Sequence, residues 1–370
     1  MTLANPATAT VSAGATFLAA GGLSLLAVPL VLLLPTGGHV RELSAVAFWA
    51  CFVLNYPHFT HSYLLLYRDL GARMAGAGTL NRLRLVVAAY LAPALLFVLC
   101  VQAVAFEDGW TAGLLVHLMM VLVGWHYVKQ GYGVLFVLCA DQGFRLSDEV
   151  RTALRLHGYG LWVWIWLRNN AFEGAARFHG VSYDLAGVGP GLAEMGKWLT
   201  VASLAWALAM LARDCRANGR LPPLAALAGY AASLYVWMAF AYVDPLLVYF
   251  TPAMHSLQYL YFVARVESRR AGAPGWAALG SGRFWTPFAI SVTAGAVVFE
   301  VLPRAAAAAD VAPLGNPMFV YALVQIFLNV HHYFIDHAIW RRDDPVTRAQ
   351  LFSTAAFATI RRQGWGTGRT

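Results

Sequence analysis

The chain has 370 residues, of which 59% are hydrophobic and only 12% are charged. A soluble domain carries about a quarter charged residues, so this composition excludes an ordinary soluble enzyme or binding domain. The formal net charge is +8, but basic patches interleaved with aromatic residues are absent, and we expect no nucleic-acid partner.

Apolar segments of about 20 residues, long enough to cross a bilayer core of ~30 Å, recur along the chain. We therefore predict an all-α integral membrane protein, a polytopic bundle of about ten transmembrane helices surrounded by membrane lipids. A short N-terminal segment, residues 1–15, has no basic residue and so lacks the charged region of a cleavable signal peptide. Residues 16–340 form a single transmembrane domain, and residues 341–370 form a cytoplasmic tail. The predicted spans are 16–35, 43–66, 83–106, 111–140, 152–168, 191–213, 223–243, 245–266, 284–303 and 316–340.

Basic residues alternate between the two ends of these predicted helices. The loops after the second, fourth, sixth and eighth spans and the tail hold 20 of the 26 lysines and arginines, the opposite loops hold five, and Lys129 lies inside a span. Because cytoplasmic loops are enriched in lysine and arginine, this pattern places both termini in the cytoplasm. Abundant alanine and arginine with few lysines suggest a GC-rich bacterial genome, and hence the bacterial inner membrane.

Histidines recur at one depth of the even-numbered spans. His58, His255 and His332 lie ten, ten and nine residues before an arginine near the cytoplasmic end of each span. At 1.5 Å per residue this is roughly 15 Å from the cytoplasmic edge. His126 lies on the fourth span. Polar groups in hydrocarbon are costly and tend to mark functional sites, so we predict that these four histidines share one site.

Imidazole suits iron, copper and zinc, and we predict that the four histidines bind a metal. His61 lies about 60° from His58 around its helix and is a further candidate ligand. His331 points roughly 100° away from His332, so a second ligand and helix packing are equal alternatives for it. Asp336 lies on the same face as His332 and is predicted to be a ligand, an orienting group or a catalytic carboxylate.

Each histidine also has an amide, hydroxyl or carboxylate partner about one helical turn away. A metal-bound imidazole needs such a partner to accept its other ring N–H and fix the tautomer. The residues predicted to support the ligands in this way are Asn55, Gln130, Gln258 and Asn329.

The histidine clusters, HxxH at His58 and His61 and HHxxxxH at His331, His332 and His337, resemble the histidine boxes of the membrane fatty-acid desaturase and hydroxylase superfamily. That family has HxxxH and HxxHH boxes, and they bind two irons. The placement of histidines inside membrane helices is also similar to the Brp/Blh carotene-cleaving dioxygenases. Both resemblances imply iron and an apolar substrate, and neither assigns a ligand to a particular residue here.

The favoured prediction is a membrane-embedded, histidine-ligated metalloenzyme that hydroxylates, desaturates or cleaves a hydrophobic small molecule, with one or two iron ions. One alternative is a redox protein that holds haem between two histidines or uses a quinone. Another is a proton-coupled transporter in which the histidines, Lys129 and Asp336 relay protons.

Overall fold

The structure is a computed structural model that describes residues 12–33, 40–239, 245–270, 282–309, 312–341 and 343–351. It is 85% helical, which confirms the predicted helical class. The α-helices are α1 Ala13–Phe17, α2 Leu23–Leu33, α3 Val40–Ala50, α4 Tyr56–Gly76, α5 Thr79–Val86, α6 Ala92–Ala105, α7 Gly109–Asp141, α8 Asp148–Asn169, α9 Pro190–Asn218, α10 Leu224–Ala231, α11 Pro245–Arg270, α12 Gly282–Ala296, α13 Leu302–Ala308, α14 Phe319–Ile339 and α15 Pro345–Leu351.

Several neighbouring helices are joined by short π-helical turns rather than by loops. One of these turns ends just before α4, and another follows α10; π-helical turns are frequently found near functional sites. The π-helical turns are Leu18–Gly22, Cys51–Asn55, Val87–Leu91, Ala232–Ala239 and Val297–Val301, and a 3₁₀ turn spans Pro313–Gly315.

Short polar residues set the ends of the long helices. The side chain of Asp108 accepts a hydrogen bond from the backbone N–H of Thr111 at 3.0 Å and so caps the start of α7. The Thr111 hydroxyl and this N–H hold the pKa of Asp108 below its ordinary value. Ser147 caps α8 in the same way. At the end of α9, Gly219 adopts a left-handed conformation with φ 63°, which glycine allows without strain.

Five helical stretches are long and apolar enough to cross a membrane, and the chain is accordingly a membrane protein. Their burial differs: 11% of the apolar window of Pro190–Asn218 is buried, against 56% of that of Gly109–Asp141. Gly109–Asp141 therefore lies inside the bundle, and Pro190–Asn218 lies at its perimeter. The five are Ala13–Leu33, Thr79–Ala105, Gly109–Asp141, Pro190–Asn218 and Trp285–Ala306.

The other predicted spans coincide with helices that are shorter or more polar. Among them α4, α11 and α14 carry histidines; α14 packs against α4 and α7, and α11 packs against α4. Because neighbouring helices surround them, these three can carry polar side chains that a lipid-facing helix could not. The total of about ten spans and the cytoplasmic side of both termini remain predictions.

Helix α7 is one continuous helix of 33 residues. Its glycines permit close approach by neighbouring helices. A Cβ atom at Gly124 would overlap the ring of Trp162, and one at Gly131 would lie 2.6 Å from Cβ of Ser233. These contacts fix α7 against its neighbours on either side of His126.

A β-hairpin interrupts the helical fold between α8 and α9. Strands β1 (Glu173–Phe178) and β2 (Val181–Ala186) pair antiparallel, with Glu173 opposite Ala186 and Phe178 opposite Val181. The hairpin lies between the predicted spans 152–168 and 191–213. Strand β2 packs on the first turns of α7, where a Cβ at Gly113 would lie 3.1 Å from the carbonyl oxygen of Ser182.

The predicted tail is folded where the structure describes it. Helix α15 packs against α4 and α11. The guanidinium of Arg73, which is only 2% exposed, donates to the carboxylate of Asp344 and to Oγ1 of Thr347 at 3.1 Å. Most of the predicted N-terminal segment, and the tail from residue 352 onward, lie outside the described residues.

Candidate metal centre

Four imidazole rings from four different helices form a closed ring inside the bundle. They belong to His58 on α4, His126 on α7, His255 on α11 and His332 on α14, and all four are buried. Going round, the ring centres are separated by 4.8, 4.9, 5.0 and 4.3 Å. We call these four residues the histidine ring.

The donor atoms of the histidine ring and Asp336 lie within reach of a common ion. One donor nitrogen from each of His58, His255 and His332 lies within 4.8 Å of the other two. Donor atoms of His126, His332 and Asp336 form a second such group. The two groups share His332, so the arrangement has room for one ion or for two adjacent ions.

Two nitrogens of the histidine ring lie close together. Nε2 of His126 lies 3.2 Å from Nε2 of His255. Two imidazole nitrogens bound tetrahedrally to one metal, with bonds of about 2.0–2.1 Å, lie about 3.3 Å apart. The observed separation therefore suits two ligands of one ion as well as a direct hydrogen bond between neutral imidazoles.

A serine on α4 fixes the tautomer of His332. The hydroxyl of Ser62 donates to the carbonyl oxygen of Phe59 at 2.7 Å, so its single proton is in use. Nδ1 of His332 lies 3.0 Å from the same hydroxyl oxygen. The imidazole must then be the donor, with its proton on Nδ1, and a neutral His332 carries a lone pair on Nε2.

A serine on α11 does the same for His58. The hydroxyl of Ser256 has two oxygen acceptors, the carbonyl of Pro252 at 2.7 Å and Oδ1 of Asn55 at 2.8 Å. Nδ1 of His58 lies 3.1 Å from this hydroxyl. Since the hydroxyl proton goes to an oxygen, Nδ1 of His58 donates to Ser256, and Nε2 is left with a lone pair.

Three buried nitrogens of the histidine ring have no hydrogen-bond partner among the described residues. They are Nε2 of His58, Nε2 of His332 and Nδ1 of His255. Buried polar atoms of proteins are almost always paired, because an unpaired one costs about 1–3 kcal/mol. His58, His255 and His332 belong to one group of donor residues, and Nε2 of His58 and of His332 each carry a lone pair, as a ligand of a divalent cation requires.

Asp336 supplies negative charge at one side of the histidine ring. Its Oδ2 lies 3.3 Å from Nε2 of His332 and 3.9 Å from Nδ1 of His126. Its Oδ1 accepts a hydrogen bond from the hydroxyl of Tyr259 at 3.1 Å. Tyr259 therefore holds the carboxylate in place while Oδ2 stays directed at the histidines.

No protein family, no curated protein and no solved structure matches this chain. The resemblance to membrane iron enzymes therefore depends only on the histidine spacing, and the function has to be argued from the geometry of the site itself.

Two of the predicted ligands belong to neither donor group. Nδ1 of His61 is bonded to the carbonyl oxygen of Pro57 at 3.0 Å, one turn back on its own helix. Both ring nitrogens of His331 are in use, Nδ1 with the hydroxyl of Tyr63 and Nε2 with the carbonyl oxygen of Ala88, each at 2.8 Å. The packing alternative suits His331 in this arrangement, because it has no free nitrogen for a metal.

The predicted supporting amides contact one another or the backbone rather than the rings of the histidines on their own helices. Gln130 donates to Oε1 of Gln258 at 2.8 Å and to the carbonyl oxygen of His255 at 3.3 Å. Asn329 bonds within α14 and accepts from the hydroxyl of Tyr333 at 3.1 Å. Among these four amides, Asn55 is the one linked to the imidazole ring of a ligand candidate, through the Ser256 hydroxyl described above.

Three further residues belong to this site, and the sequence did not predict the contacts that they make: Ser62, Ser256 and Tyr259. Partners were expected on the same helix as each histidine, whereas Nδ1 of His332 and Nδ1 of His58 are each held by a serine of a neighbouring helix. A usable signal was present, because each serine lies on a histidine-bearing helix, four residues after His58 or one after His255.

A cavity of about 540 Å³ reaches the site from the end of the bundle where α8 begins and α14 ends. Its inner lining includes His126, Asp336 and Tyr259. The volume falls in the range of small-molecule sites, about 300–1,000 Å³. A molecule in this cavity would contact the same carboxylate that faces the histidine ring.

Proposed function

We propose that the chain is a membrane-embedded metalloenzyme that oxidises a substrate drawn from the lipid phase, with the histidine ring as metal ligands and iron as the metal. The observation that carries this proposal is the set of unpaired nitrogens on His58, His255 and His332, two of them held in the metal-binding tautomer by serines. A donor set of imidazoles with one carboxylate suits iron, with copper and zinc as competitors.

Each residue has a separate task in this proposal. Ser62 and Ser256 orient two imidazoles. Asp336 balances the charge of the cation as a ligand or as a carboxylate beside it. Tyr259 lines the cavity and keeps Asp336 oriented. Bound iron would supply the binding and activation of dioxygen.

The type of oxidation determines whether the reaction needs electrons and protons from a donor in addition to dioxygen. Hydroxylation places one oxygen atom of O₂ on the substrate and reduces the other to water, with two electrons and two protons from a donor. Desaturation removes two hydrogens from the substrate and reduces O₂ to two waters, with the same donor requirement. Cleavage of a carbon–carbon double bond places both oxygen atoms on the two carbons and needs no donor.

The proposed setting is a bundle of about ten transmembrane helices in a bacterial inner membrane, with both termini in the cytoplasm. The alternating distribution of 20 against five basic residues supports this topology. With it, the cavity opens on the cytoplasmic side, because its rim includes Arg151, Arg155 and Arg341.

The two alternatives predict different contents of the same site. Neighbouring rings of the histidine ring lie 4.3–5.0 Å apart, whereas axial ligation of haem by two imidazoles places ring centres more than about 6 Å apart. This spacing disfavours haem between adjacent members. A proton-coupled transporter draws support from the cavity that reaches the buried Asp336, and it requires no metal.

The test is the metal content of the purified protein. The chain would be purified in mild detergent without chelators, and its metals counted by mass spectrometry, beside His332→Ala and a control, His157→Ala. His157 is buried, but its nitrogens bond to Ser203 and Tyr235, outside the histidine ring. We expect one or two irons per chain, lost in His332→Ala and kept in His157→Ala.

An absorption spectrum of the same samples separates the alternatives. A Soret band would support haem and overturn the proposal. Folded protein without stoichiometric metal would also overturn it, and the proton-coupled transporter would then be favoured.

A further inference from the structure

The mouth of the 540 Å³ cavity is positively charged. Basic side chains from three helices or their ends line it: Lys129 on α7, Arg151 and Arg155 on α8, and Arg341 after α14. The mouth thus attracts anions to a passage that leads to the candidate metal centre.

Two of these cations lack a carboxylate partner among the described residues. Arg151 pairs with Asp148, and Arg341 pairs with Asp343 at 3.0 Å. Lys129 and Arg155 instead lie over aromatic rings. The Lys129 nitrogen is 5.9 Å from the centre of the Trp125 ring, and the Arg155 guanidinium carbon is 5.7 Å from that of Tyr132. We call Lys129 and Arg155 the cation pair.

Aromatic contacts leave the N–H groups of the cation pair available. A cation over a ring is held by the ring's quadrupole, which engages its charge without using its hydrogen-bond donors. Both side chains are exposed and both line the cavity. Their unused donors suit the oxygens of a carboxylate or phosphate.

Apolar side chains line the cavity beside the cation pair and on the side of it away from His126. Its walls include Val134, Phe136, Val137, Phe262 and Leu351. These walls would not stabilise a bound inorganic ion. They would stabilise a bound hydrocarbon chain, because its apolar surface would be removed from water. The cavity therefore combines an anion-binding cation pair with apolar walls.

Distances along α7 place the anion close to the histidine ring. Lys129 and Tyr132 follow His126 by three and six residues, which is about 4.5 Å and 9 Å along the helix axis. A molecule held by the cation pair would present atoms within about ten ångströms of its charged group to the metal ligands.

The opposite end of α7 is covered by protein. Strand β2 packs there, and the carbonyl oxygen of Asp184 lies 2.5 Å from Nε2 of His117. The covered end and the open, basic mouth give the cavity a direction, and a substrate enters it from the arginine-rich side.

We infer that the substrate is an amphiphile with an anionic head group, a carboxylate or a phosphate, which the cation pair holds next to the histidine ring while the apolar body lies along the apolar walls. This inference deepens the proposed function and rests on it. It predicts that the oxidised carbon lies near the head group rather than at the far end of the chain.

The test is charge-selective binding of brominated amphiphiles, which quench nearby tryptophans. Trp125 and Trp340 line the cavity. Full-length protein in lipid nanodiscs would be titrated with dibromostearate, with the phosphate monoester of the same chain, and with its uncharged methyl ester. Unbrominated oleate would displace the specific component from the background of the other tryptophans.

We expect saturable, displaceable quenching by at least one anionic probe, and affinity roughly five- to tenfold weaker for the methyl ester. The double variant Lys129→Gln/Arg155→Gln should lose this preference. The control variant Lys197→Gln removes an exposed cation on α9, where Lys197 pairs with Glu194. This variant should keep the preference for the anionic probe. The preferred probe identifies the head group as a carboxylate or a phosphate.

Equal binding of acid and ester, or an unchanged preference in the double variant, would overturn the inference. Size-exclusion profiles and metal content of each variant keep the two proposals separate. Metal retained without charge selectivity counts against the anionic head group only. Charge selectivity in protein that never holds metal supports the head-group site and counts against the metalloenzyme.

Discussion

Nε2 of His332 lies 3.3 Å from Oδ2 of Asp336, one helical turn further along α14, yet the two atoms do not have hydrogen-bond geometry. The proton of a neutral His332 is on Nδ1, where Ser62 accepts it. A lone pair and a carboxylate oxygen thus face each other in a buried site, and two such groups repel unless a cation lies between or beside them.

Substitution of Asp336 tests this relationship. Asp336→Asn keeps the shape of the side chain and removes the charge that offsets the cation. We expect metal affinity to fall by about 10–100-fold, the range for groups that orient or neutralise a metal site. Competition between the protein and a calibrated chelator measures this change.

Tyr259→Phe is the matched control for that substitution. It removes the hydroxyl that donates to Oδ1 of Asp336 but keeps the carboxylate and its charge. Its affinity should lie between those of the unaltered protein and Asp336→Asn. An unchanged affinity in Asp336→Asn would show that the carboxylate neither binds nor neutralises the ion.

The two serines offer a test of tautomer control. In Ser62→Ala, Nδ1 of His332 loses its acceptor, and Ser256→Ala does the same to His58. Each change should weaken metal binding by about 10-fold or more, although no ligand is removed. The threonine variants retain the hydroxyl and should restore most of the affinity.

Ser291→Ala controls for the loss of a buried hydroxyl. Ser291 is fully buried on α12, and its hydroxyl has no hydrogen-bond partner among the described residues. Its removal should leave the chelator midpoint unchanged. If Ser62→Ala behaved like Ser291→Ala, the serine would not be orienting His332.

Much of this site could be predicted from the sequence. The shared depth of His58, His255 and His332 followed from their distance to arginines, because helical rise is regular. That these histidines face one another was predicted from the free-energy cost of placing an imidazole in lipid. Which neighbouring side chain holds each ring could not be derived, because it depends on how four helices rotate against each other.

The number of membrane spans is harder to predict from the sequence than the shared depth of the histidines. Apolarity identifies α9 because it lies at the perimeter of the bundle, with only 11% of its apolar window buried. Helices α4, α11 and α14 are less apolar, since their surroundings are protein and their sequences are free to be polar. Hydropathy therefore reports the perimeter of the bundle better than its centre.

His331 and His332 are adjacent in the chain but differ in chemistry. His331 bonds to the hydroxyl of Tyr63 and the backbone of Ala88, so it joins α14 to α4 and to the π-helical turn before α6. We expect His331→Phe to keep its metal and to lose about 1–3 kcal/mol of stability, because it leaves a buried carbonyl unpaired. His332→Phe should lose the metal.

Metal analysis and thermal unfolding of the same two preparations check this contrast. Loss of metal in His331→Phe, in protein that elutes as a single folded species, would reassign His331 to the site.

Glycine at position 124 is predicted to be required for packing next to the site. A methyl group there would overlap the ring of Trp162, whose Nε1 is fixed by a hydrogen bond to the carbonyl oxygen of Val121 at 2.9 Å. Gly124→Ala should therefore destabilise the protein by about 1–3 kcal/mol and shift α7 near His126.

The control for that change lies on the same helix. A Cβ at Gly133 would have no atom within 4 Å, so Gly133→Ala gains helix propensity without overlap and should stabilise the protein by up to about 1 kcal/mol. Unfolding midpoints in one detergent compare the pair. Equal midpoints would mean that α8 can yield to the added methyl group.

The last prediction concerns the buried ion pair that ties α4 to the segment before α15. Asp344 accepts from Arg73 and from the backbone N–H of Thr347 at 2.6 Å, and both charged side chains are buried. Removing the negative charge with Asp344→Asn strands a buried guanidinium, which costs about 3–5 kcal/mol in comparable pairs. Arg73→Met/Asp344→Asn removes both charges and keeps an acceptor for Thr347, so it should be more stable than Asp344→Asn alone. Thermal midpoints of the single and double variants measure the difference.

The exposed pair Arg213 and Glu149, 3.2 Å apart, serves as the control, since its neutralisation should change stability by no more than about 1 kcal/mol. If Asp344→Asn were as mild as that control, α15 would not be held to the bundle by this pair.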